Sequence, residues 1–578
     1  MVEEEGTARR LWIKFRNDSV FVLYTPFFVC LASGHLHSQS FCRCVSQDVY
    51  FLKAFAQAYQ MAEDCADDDD DKSAIRDLRK RVVHRLKAHD TLVREWGFEL
   101  PDESIFDNAR VKYIEFLLAA ASGRVEGETV PGKIATPFEM TKVASYTLGA
   151  MAPCMRLYSF ISREIQALIH PDDSSHIYKK WIESYSSQTF EAFALQIEDM
   201  LDKLSISLTG EELEVIEKLY HQALKLEVDF FATQPISQQT IVPLARVHDP
   251  AEHRLNIFCD FDLTCTAFDS AAVLAEIAII TAPPKAIVAE IAIITPPPKA
   301  DSDESETQLV RMSSADLRST WGALSTQYTE EYEQCIESMM DGTKAENFDY
   351  EGLHKALEQV ADFEKRANTR VINSGVLKGL NLDDLKRAGQ SLILQEGCRE
   401  FFQKVVNNDT LKTEVHVLSY CWCGDLIRSA FSSGDLDELN VHSNELSFEE
   451  SVSTGDIAMK IESPLDKLQA YSDILNDSNS EGKRLTVYIG GDVGDFLCLL
   501  QADVGIVIGS SSSLRRLGEH FGVSFVPLFS GLVKKQRELV EDGSCIWKGL
   551  SGILYTVSSW AEIHAFLLGS DIEQVGLR

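Results

Sequence analysis

Basic residues are under-represented in this chain of 578 residues: 55 Lys+Arg stand against 89 Asp+Glu, a formal net charge of −34. A surface of that sign repels nucleic acid and anionic membranes, so neither is expected as a partner. Long hydrophobic runs are also missing. The best candidate, VFVLYTPFFVCLA at 20–32, is too short to span a bilayer and contains Pro26, so it reads as a core helix. Metal-knuckle spacing is absent among the 13 cysteines: Cys42/Cys44 and Cys421/Cys423 have one intervening residue, not two, and no His pair accompanies them. Reduced, buried thiols of an intracellular protein are the expectation. The acidic start MVEEEG fits neither a secretory nor a mitochondrial leader. The expected location is cytoplasmic, or mitochondrial if a presequence precedes residue 1.

What the chain does have is length, with 45% hydrophobic and 25% charged residues, enough for two or more separate cores. Residues 10–235 carry long apolar segments at helical spacing (Val49–Met61, Val111–Ala121, Met140–Leu168, Ile177–Phe193, Glu211–Phe231) and few strand signals. That periodicity predicts an all-α domain over 1–235. The acidic run Asp67–Asp71 is expected to be a solvated loop between helices. Residues 236–254 lie in a proline-bearing stretch that loses the period, and read as a linker. A second domain is expected over 255–578. A tandem copy, AEIAIITAPPKAIV then AEIAIITPPPKA within 275–300, is too short for a solenoid and reads as a lengthened surface loop.

The second domain opens with LNIFCDFDLTCT (255–266), an apolar strand that delivers Asp260, Asp262 and then Thr264. Alternation along a strand end would put both carboxylates on one side. Two acids that close repel unless a cation or proton sits with them, which suggests a Mg²⁺ site with one Asp free to attack phosphorus. Helical, charge-rich sequence follows from Ser313 to about Gln395. A strand then ends at Ser419 in VHVLSYCWCGDLI (415–427), Lys467 stands in SPLDKLQAY (463–471), and LTVYIGGDVGDFLCLLQADVGIVIG (485–509) reads strand, acidic loop, helix, strand, with Asp492 and Asp495 in its loop.

Two resemblances organise these residues. SQDVYFLKAF (46–55), PCMRLYSF (153–160), IYKKWIESY (177–185) and LEVDFF (226–231) resemble the TenA/thiaminase II family, in its order and at similar spacing. That resemblance implies a heme-oxygenase-like helical bundle that binds an aminopyrimidine and self-associates. It implies Cys154 as nucleophile, Asp48 holding the pyrimidine amino group and ring nitrogen, Glu227 passing a proton to the leaving amine, and Tyr158, Tyr185 and Tyr113 lining the ring. Phe51 stands where many relatives carry a tyrosine; stacking survives that change.

The DxDxT segment with Ser419, Lys467 and the 485–509 loop resembles the four motifs of haloacid dehalogenase-like (HAD) phosphatases. This implies a Rossmann-like parallel sheet with a helical cap at about 266–410. Asp260 would be the nucleophile, Asp262 the general acid and base, and Ser419 and Lys467 the holders of the phosphoryl oxygens. Mg²⁺ would be held by Asp260, Asp262, Asp492 and Asp495. The chain departs from the motif at Gly490-Gly491, where Gly-Asp is expected, so Asp492 is displaced by one position or the loop is re-registered. The order TenA then HAD resembles the plant fusion phosphatases of thiamin metabolism. It implies dephosphorylation of thiamin monophosphate beside salvage of the pyrimidine, with small molecules as partners. Another small phosphate ester, or a degenerate HAD half serving as scaffold, are the alternatives.

Overall fold

The computed structural model describes residues 6–95, 108–125, 128–129, 137–170, 175–247, 253–283, 311–408, 411–432, 434, 436, 439–477 and 483–570. The second tandem copy and the end of the first lie outside the described residues, as do residues 248–252 of the expected linker. The chain forms two compact units. One is Met1–Val247 with Phe529–Cys545 and Ala561–Arg578; the other is His248–Leu528 with Ile546–Trp560. Two C-terminal segments therefore group with the helical unit, which a linear division at residue 255 does not anticipate. The Leu528–Asp542 helix shows why: Gln536 accepts from the Ile241 amide (3.1 Å) and donates to the Gln239 carbonyl (3.0 Å).

The first unit is helical, apart from a two-residue antiparallel pair, β1 (Arg124–Val125) and β2 (Glu128–Thr129). Its site is carried by helices Ser38–Cys65, Asn108–Ala121, Pro137–Gln166 and Gly210–Ala232, which pack on one another. Local signals set their ends. Thr209 and Glu212 form a reciprocal capping box at the start of Gly210–Ala232. The apolar run 20–32 is two helices rather than one: Thr7–Leu23 stops, and Pro26–Ala32 restarts with Thr25 as cap and Pro26 in its first turn. Ile177–Phe193 likewise breaks at Ser187. The acidic run is a loop only at Asp67 and Asp68. Asp69–Asp71 form the first turn of helix Asp69–Glu95, where carboxylates meet the positive end of the helix dipole, and Lys203 bonds Asp71. Among the described residues no helix is long and apolar enough to cross a membrane.

The second unit is built on a seven-stranded parallel sheet in the order β10-β11-β9-β8-β3-β4-β5. The strands are β3 (His253–Cys259), β4 (Thr413–Leu418), β5 (Asn440–His442), β8 (Lys483–Gly490), β9 (Val504–Ile508), β10 (Ser524–Pro527) and β11 (Ile553–Val557). The central strands read as near-continuous apolar runs because both faces are covered. Register matters most for function: Cys259 pairs with Ile489 of β8 and Val417 of β4. Parallel neighbours lie about 4.8 Å apart. The residues just beyond three strand ends, Asp260, Ser419 and the 490–495 loop, therefore meet on one edge.

Helices Ser270–Ile280, Ser314–Met339, Tyr350–Ser374, Leu382–Gln390 and Cys398–Val406 fill the excursion between β3 and β4. Ile336, Met339, Leu353, Leu357 and Val360 of the two long helices join the buried cluster of Phe496, Leu497 and Leu514, which anchors the cap to the sheet unit. An antiparallel hairpin, β6 (Glu445–Glu449) and β7 (Val452–Ala458), was not foreseen; Ser453 ties it to the Leu380 amide (2.8 Å) beside the cap.

Candidate functional site

Asp260 does not lie in β3 but one residue beyond it, and Asp262 sits in the turn that follows, with Leu263 in a left-handed conformation (φ 57°). Strand alternation therefore does not aim the pair. The Asp260 amide is held by the Ile489 carbonyl (2.9 Å), and its side chain turns to Lys467 (2.8 Å) and Thr264 (3.4 Å). Asp262 instead accepts from the Ser270 amide (2.6 Å) and hydroxyl (3.1 Å) and from the Ser419 hydroxyl (3.3 Å). Partial burial and the charge of Asp269 raise the Asp262 carboxyl to about 7. At neutral pH it is poised between acid and base.

Lys467, near the start of helix Pro464–Asp477, is buried with its ammonium 2.8 Å from both Asp260 and Asp495. Burial would discharge it, but the two carboxylates more than compensate and keep it protonated. Tyr420 covers it, with the ammonium 4.4 Å from the ring centroid.

Asp495 was among the expected metal ligands. Its oxygens are already taken: Lys467 (2.8 Å) and the Tyr488 hydroxyl (2.9 Å) on one, the Gly491 (3.0 Å) and Asp492 (3.2 Å) amides on the other. A carboxylate has about four lone-pair sites, and four donors fill them. Asp262, bonded to Ser270 and Ser419, is likewise committed. Asp492 is different: it is exposed, and only one of its oxygens caps the Val493 amide (2.6 Å). The re-registration has a steric cause. A Cβ on Gly491 would lie 2.4 Å from the Ile508 carbonyl oxygen, so no side chain fits there without backbone movement. Among the described residues no three His, Cys, Asp or Glu side chains form a ready-made metal cage. Asp260 accepts one donor on each oxygen and so keeps a lone pair on both, and Asp492 keeps one oxygen unbonded. Mg²⁺ commonly takes one or two such ligands and completes its shell with water and substrate phosphate, so this donor set fits it.

In the helical unit Cys154, Asp48, Phe51, Tyr158 and Tyr185 line one pocket together with Leu52, Met155 and Arg85. Tyr113 stacks near Phe51 (4.7 Å between centroids) and Tyr158 near Tyr185 (5.1 Å). Glu227 is fully buried behind Cys154, and burial lifts its carboxyl to about 7. Burial, and then Glu227, push the Cys154 thiol well above its usual range, so the lowered thiol pKa expected of this nucleophile is absent. The thiol must lose its proton to a neighbour before it attacks. Glu227 lies against the Cys154 thiol and the Tyr113 hydroxyl, which favour its charged form, yet none of these contacts closes to full hydrogen-bond geometry. Buried groups short of good hydrogen bonds are costly, and a polar ligand would complete them.

A model of the TENA/THI-4/PQQC family matches residues 138–235. The bifunctional TH2 protein, mitochondrial, of Arabidopsis thaliana is 58% identical over 570 residues, 98% of this chain and 90% of that protein. The chain belongs to the TH2 family. The aminopyrimidine aminohydrolase of Staphylococcus saprophyticus is 24% identical over 215 residues, covering 36% of this chain and 85% of that enzyme. Among solved structures, a phosphoserine phosphatase with a phospho-aspartyl intermediate analogue is similar at 16% identity and TM-score 0.25, over 46% of this chain and 91% of that one. This TH2-family chain thus combines a helical unit, matched over 138–235 by the TENA/THI-4/PQQC model, with a unit built on a seven-stranded parallel sheet.

Several residues of these sites escaped sequence reasoning. Arg110 is completely buried, bonds Asp48 (2.8 Å) and lies over the Phe230 ring (3.4 Å to centroid). Asp48 is therefore already engaged by an arginine, and by the Tyr158 hydroxyl (3.3 Å). A signal existed: Arg110 stands one helical turn before Tyr113, on the same face. Arg85, stacked over Tyr185 (3.7 Å), lies on a charged helix that gave none.

Proposed function

We propose that the sheet unit dephosphorylates thiamin monophosphate through an aspartyl-phosphate on Asp260, and that the helical unit hydrolyses aminopyrimidine breakdown products of thiamin to hydroxymethylpyrimidine through Cys154. The observation that carries the first reading is the buried Asp260–Lys467–Asp495 arrangement at the edge where three parallel strands end, which is where open α/β sheets bind their ligands. Lys467 holds Asp260 and offsets the negative charge of an approaching phosphate. An Asp260 oxygen attacks phosphorus as the P–O bond to the alcohol breaks, and protonated Asp262 gives its proton to that alkoxide. Asp262, now ionised, takes a proton from water, which displaces Asp260 and frees inorganic phosphate. Ser419 orients Asp262 and stands beside the incoming phosphoryl oxygens. Mg²⁺, held by Asp260 and Asp492, would supply charge neutralisation on those oxygens; Asp495 serves it indirectly, by fixing Lys467.

In the helical unit the reading is supported by Glu227 and the Tyr113 hydroxyl, buried beside Cys154 without a full hydrogen bond. Glu227 accepts the thiol proton, sulfur attacks the pyrimidine methylene, and the same proton passes to the departing amine. Water then cleaves the thioether-linked intermediate with Glu227 as base. The aromatic faces of Phe51, Tyr158 and Tyr185 hold the ring. The mitochondrial name of the Arabidopsis relative makes that organelle the compartment to examine first.

The test is phosphate release by the full chain from thiamin monophosphate against a panel of sugar and amino-acid phosphates, with Mg²⁺ titrated. Preference for another ester would change the substrate and keep the chemistry. Silence at saturating Mg²⁺ with Cys154-dependent hydrolysis intact would favour the scaffold reading that Gly491 raises.

A further inference from the structure

The cap carries a second cluster, distinct from the phosphate-handling groups. On helix Ser314–Met339, Tyr328 and Tyr332 stack nearly parallel (5.9 Å, 8°), and Phe363 of helix Tyr350–Ser374 leans on both (5.1 and 5.8 Å). Glu364, next in sequence, accepts from the Tyr328 hydroxyl at 2.7 Å. No cation pairs with Glu364 among the described residues; the charges acting on it are those of Asp492 and Asp269, both negative. Tyr332 packs against the buried cluster that contains Val493, the residue after Asp492, and Trp422, three residues beyond Ser419, donates to Asn368 one turn along the Glu364 helix (3.0 Å), which ties the cluster to the phosphatase loops. The Tyr332 hydroxyl is shielded from solvent and has no hydrogen-bond partner. Tyr328 remains 38% exposed. Aromatic faces, a half-buried unpaired carboxylate and an unsatisfied hydroxyl beside a phosphate site form a surface that a neutral or anionic leaving group would not repay.

We propose that Tyr328, Tyr332 and Glu364, backed by the buried Phe363, form the leaving-group subsite of the phosphatase, and that it selects phosphate esters of cationic heteroaromatic alcohols, with Glu364 as the specificity-determining residue. The subsite rests on the phosphatase reading of this unit. A ring bearing a delocalised positive charge stacks on the tyrosine faces, gains the cation–π attraction that a neutral ring lacks, and pairs with Glu364. Selectivity arises because a cationic ring can pair with Glu364, whereas a neutral ring cannot.

The experiment compares kcat/KM of the full chain, with Mg²⁺, for thiamin monophosphate and for p-nitrophenyl phosphate, whose leaving group carries no positive charge. Glu364→Gln preserves shape and a hydrogen-bond partner for Tyr328. It should lower the ratio of the two kcat/KM values by roughly 10- to 100-fold, the usual consequence of losing one charge-assisted contact, chiefly through the KM for thiamin monophosphate. Competitive inhibition of p-nitrophenyl phosphate hydrolysis by thiamin should weaken in step. An unchanged ratio, or equal losses on both substrates, overturns the subsite. If wild-type protein cleaves neither ester, the phosphatase reading falls first; if it cleaves p-nitrophenyl phosphate and the ratio ignores Glu364, only the subsite falls.

Discussion

Replacing Lys467 by methionine removes the cation held between two buried carboxylates, Asp260 and Asp495. Its ammonium lies 2.8 Å from Asp260 and 2.8 Å from Asp495, and the lysine is 1% exposed. Methionine keeps the length and apolar stem, so the change is electrostatic first. Breaking a buried pair by deleting one partner costs about 3–5 kcal/mol, because a charge stays behind without compensation. Two carboxylates stay behind here, facing each other, which places the expected loss at the upper end. That is a large share of the 5–15 kcal/mol typical of folded domains.

The pH dependence distinguishes this cause from poor packing. In the wild type the lysine pKa is raised above its unfolded value, so its contribution is complete below that value and is lost only as pH rises through the folded one, well above neutrality. In the variant nothing opposes burial and the Asp495 charge, which already push the Asp260 carboxyl up. Asp260 then takes a proton as pH falls, and part of the lost stability returns. Urea unfolding at pH 8 and pH 5.5 should show a deficit of several kcal/mol at the higher pH and a smaller one at the lower. Phosphate release should fall by at least about 10²- to 10³-fold, the scale for removing one preorganised electrostatic partner. A deficit below about 1 kcal/mol, or one equal at both pH values, would refute the reasoning.

Asp260→Asn should abolish phosphate release and spare pyrimidine hydrolysis, and Cys154→Ser should do the reverse; loss of both from either change, read in the two product assays, contradicts independent sites. Glu227, with its carboxyl near 7, should give pyrimidine hydrolysis an ascending limb near neutral pH; a Glu227→Gln variant whose residual rate keeps that limb assigns it elsewhere. Because that pKa is raised on folding, ionising buried Glu227 opposes the fold, so Glu227→Gln should narrow any stability loss seen on raising pH from 5 to 8. Arg110→Met should destabilise the helical unit by about 3–5 kcal/mol, since Asp48 would stay buried and uncompensated, and Asp48→Asn in the same chain should recover part of it in thermal unfolding.

Much of this protein was legible in one dimension. Helical spacing over 10–235 reflects amphipathic faces that must be buried, and LNIFCDFDLTCT announces a buried strand that ends in acids, because solvent exclusion acts on local sequence directly. Resemblance to two families, rather than burial, named Cys154, Glu227, Ser419 and Lys467 as candidates beside Asp260, and the fold brings each group of them together. Partnership could not be read that way. Only the tertiary structure pairs Arg110 with Asp48 across 62 residues of chain and fills the Asp495 carboxylate with four donors, leaving Asp492 free. It also packs Tyr332 of the cap against the cluster that holds Val493 of the sheet loop. Charge compensation is decided by which groups share a desolvated space, and that space exists only once distant strands and helices have closed around it.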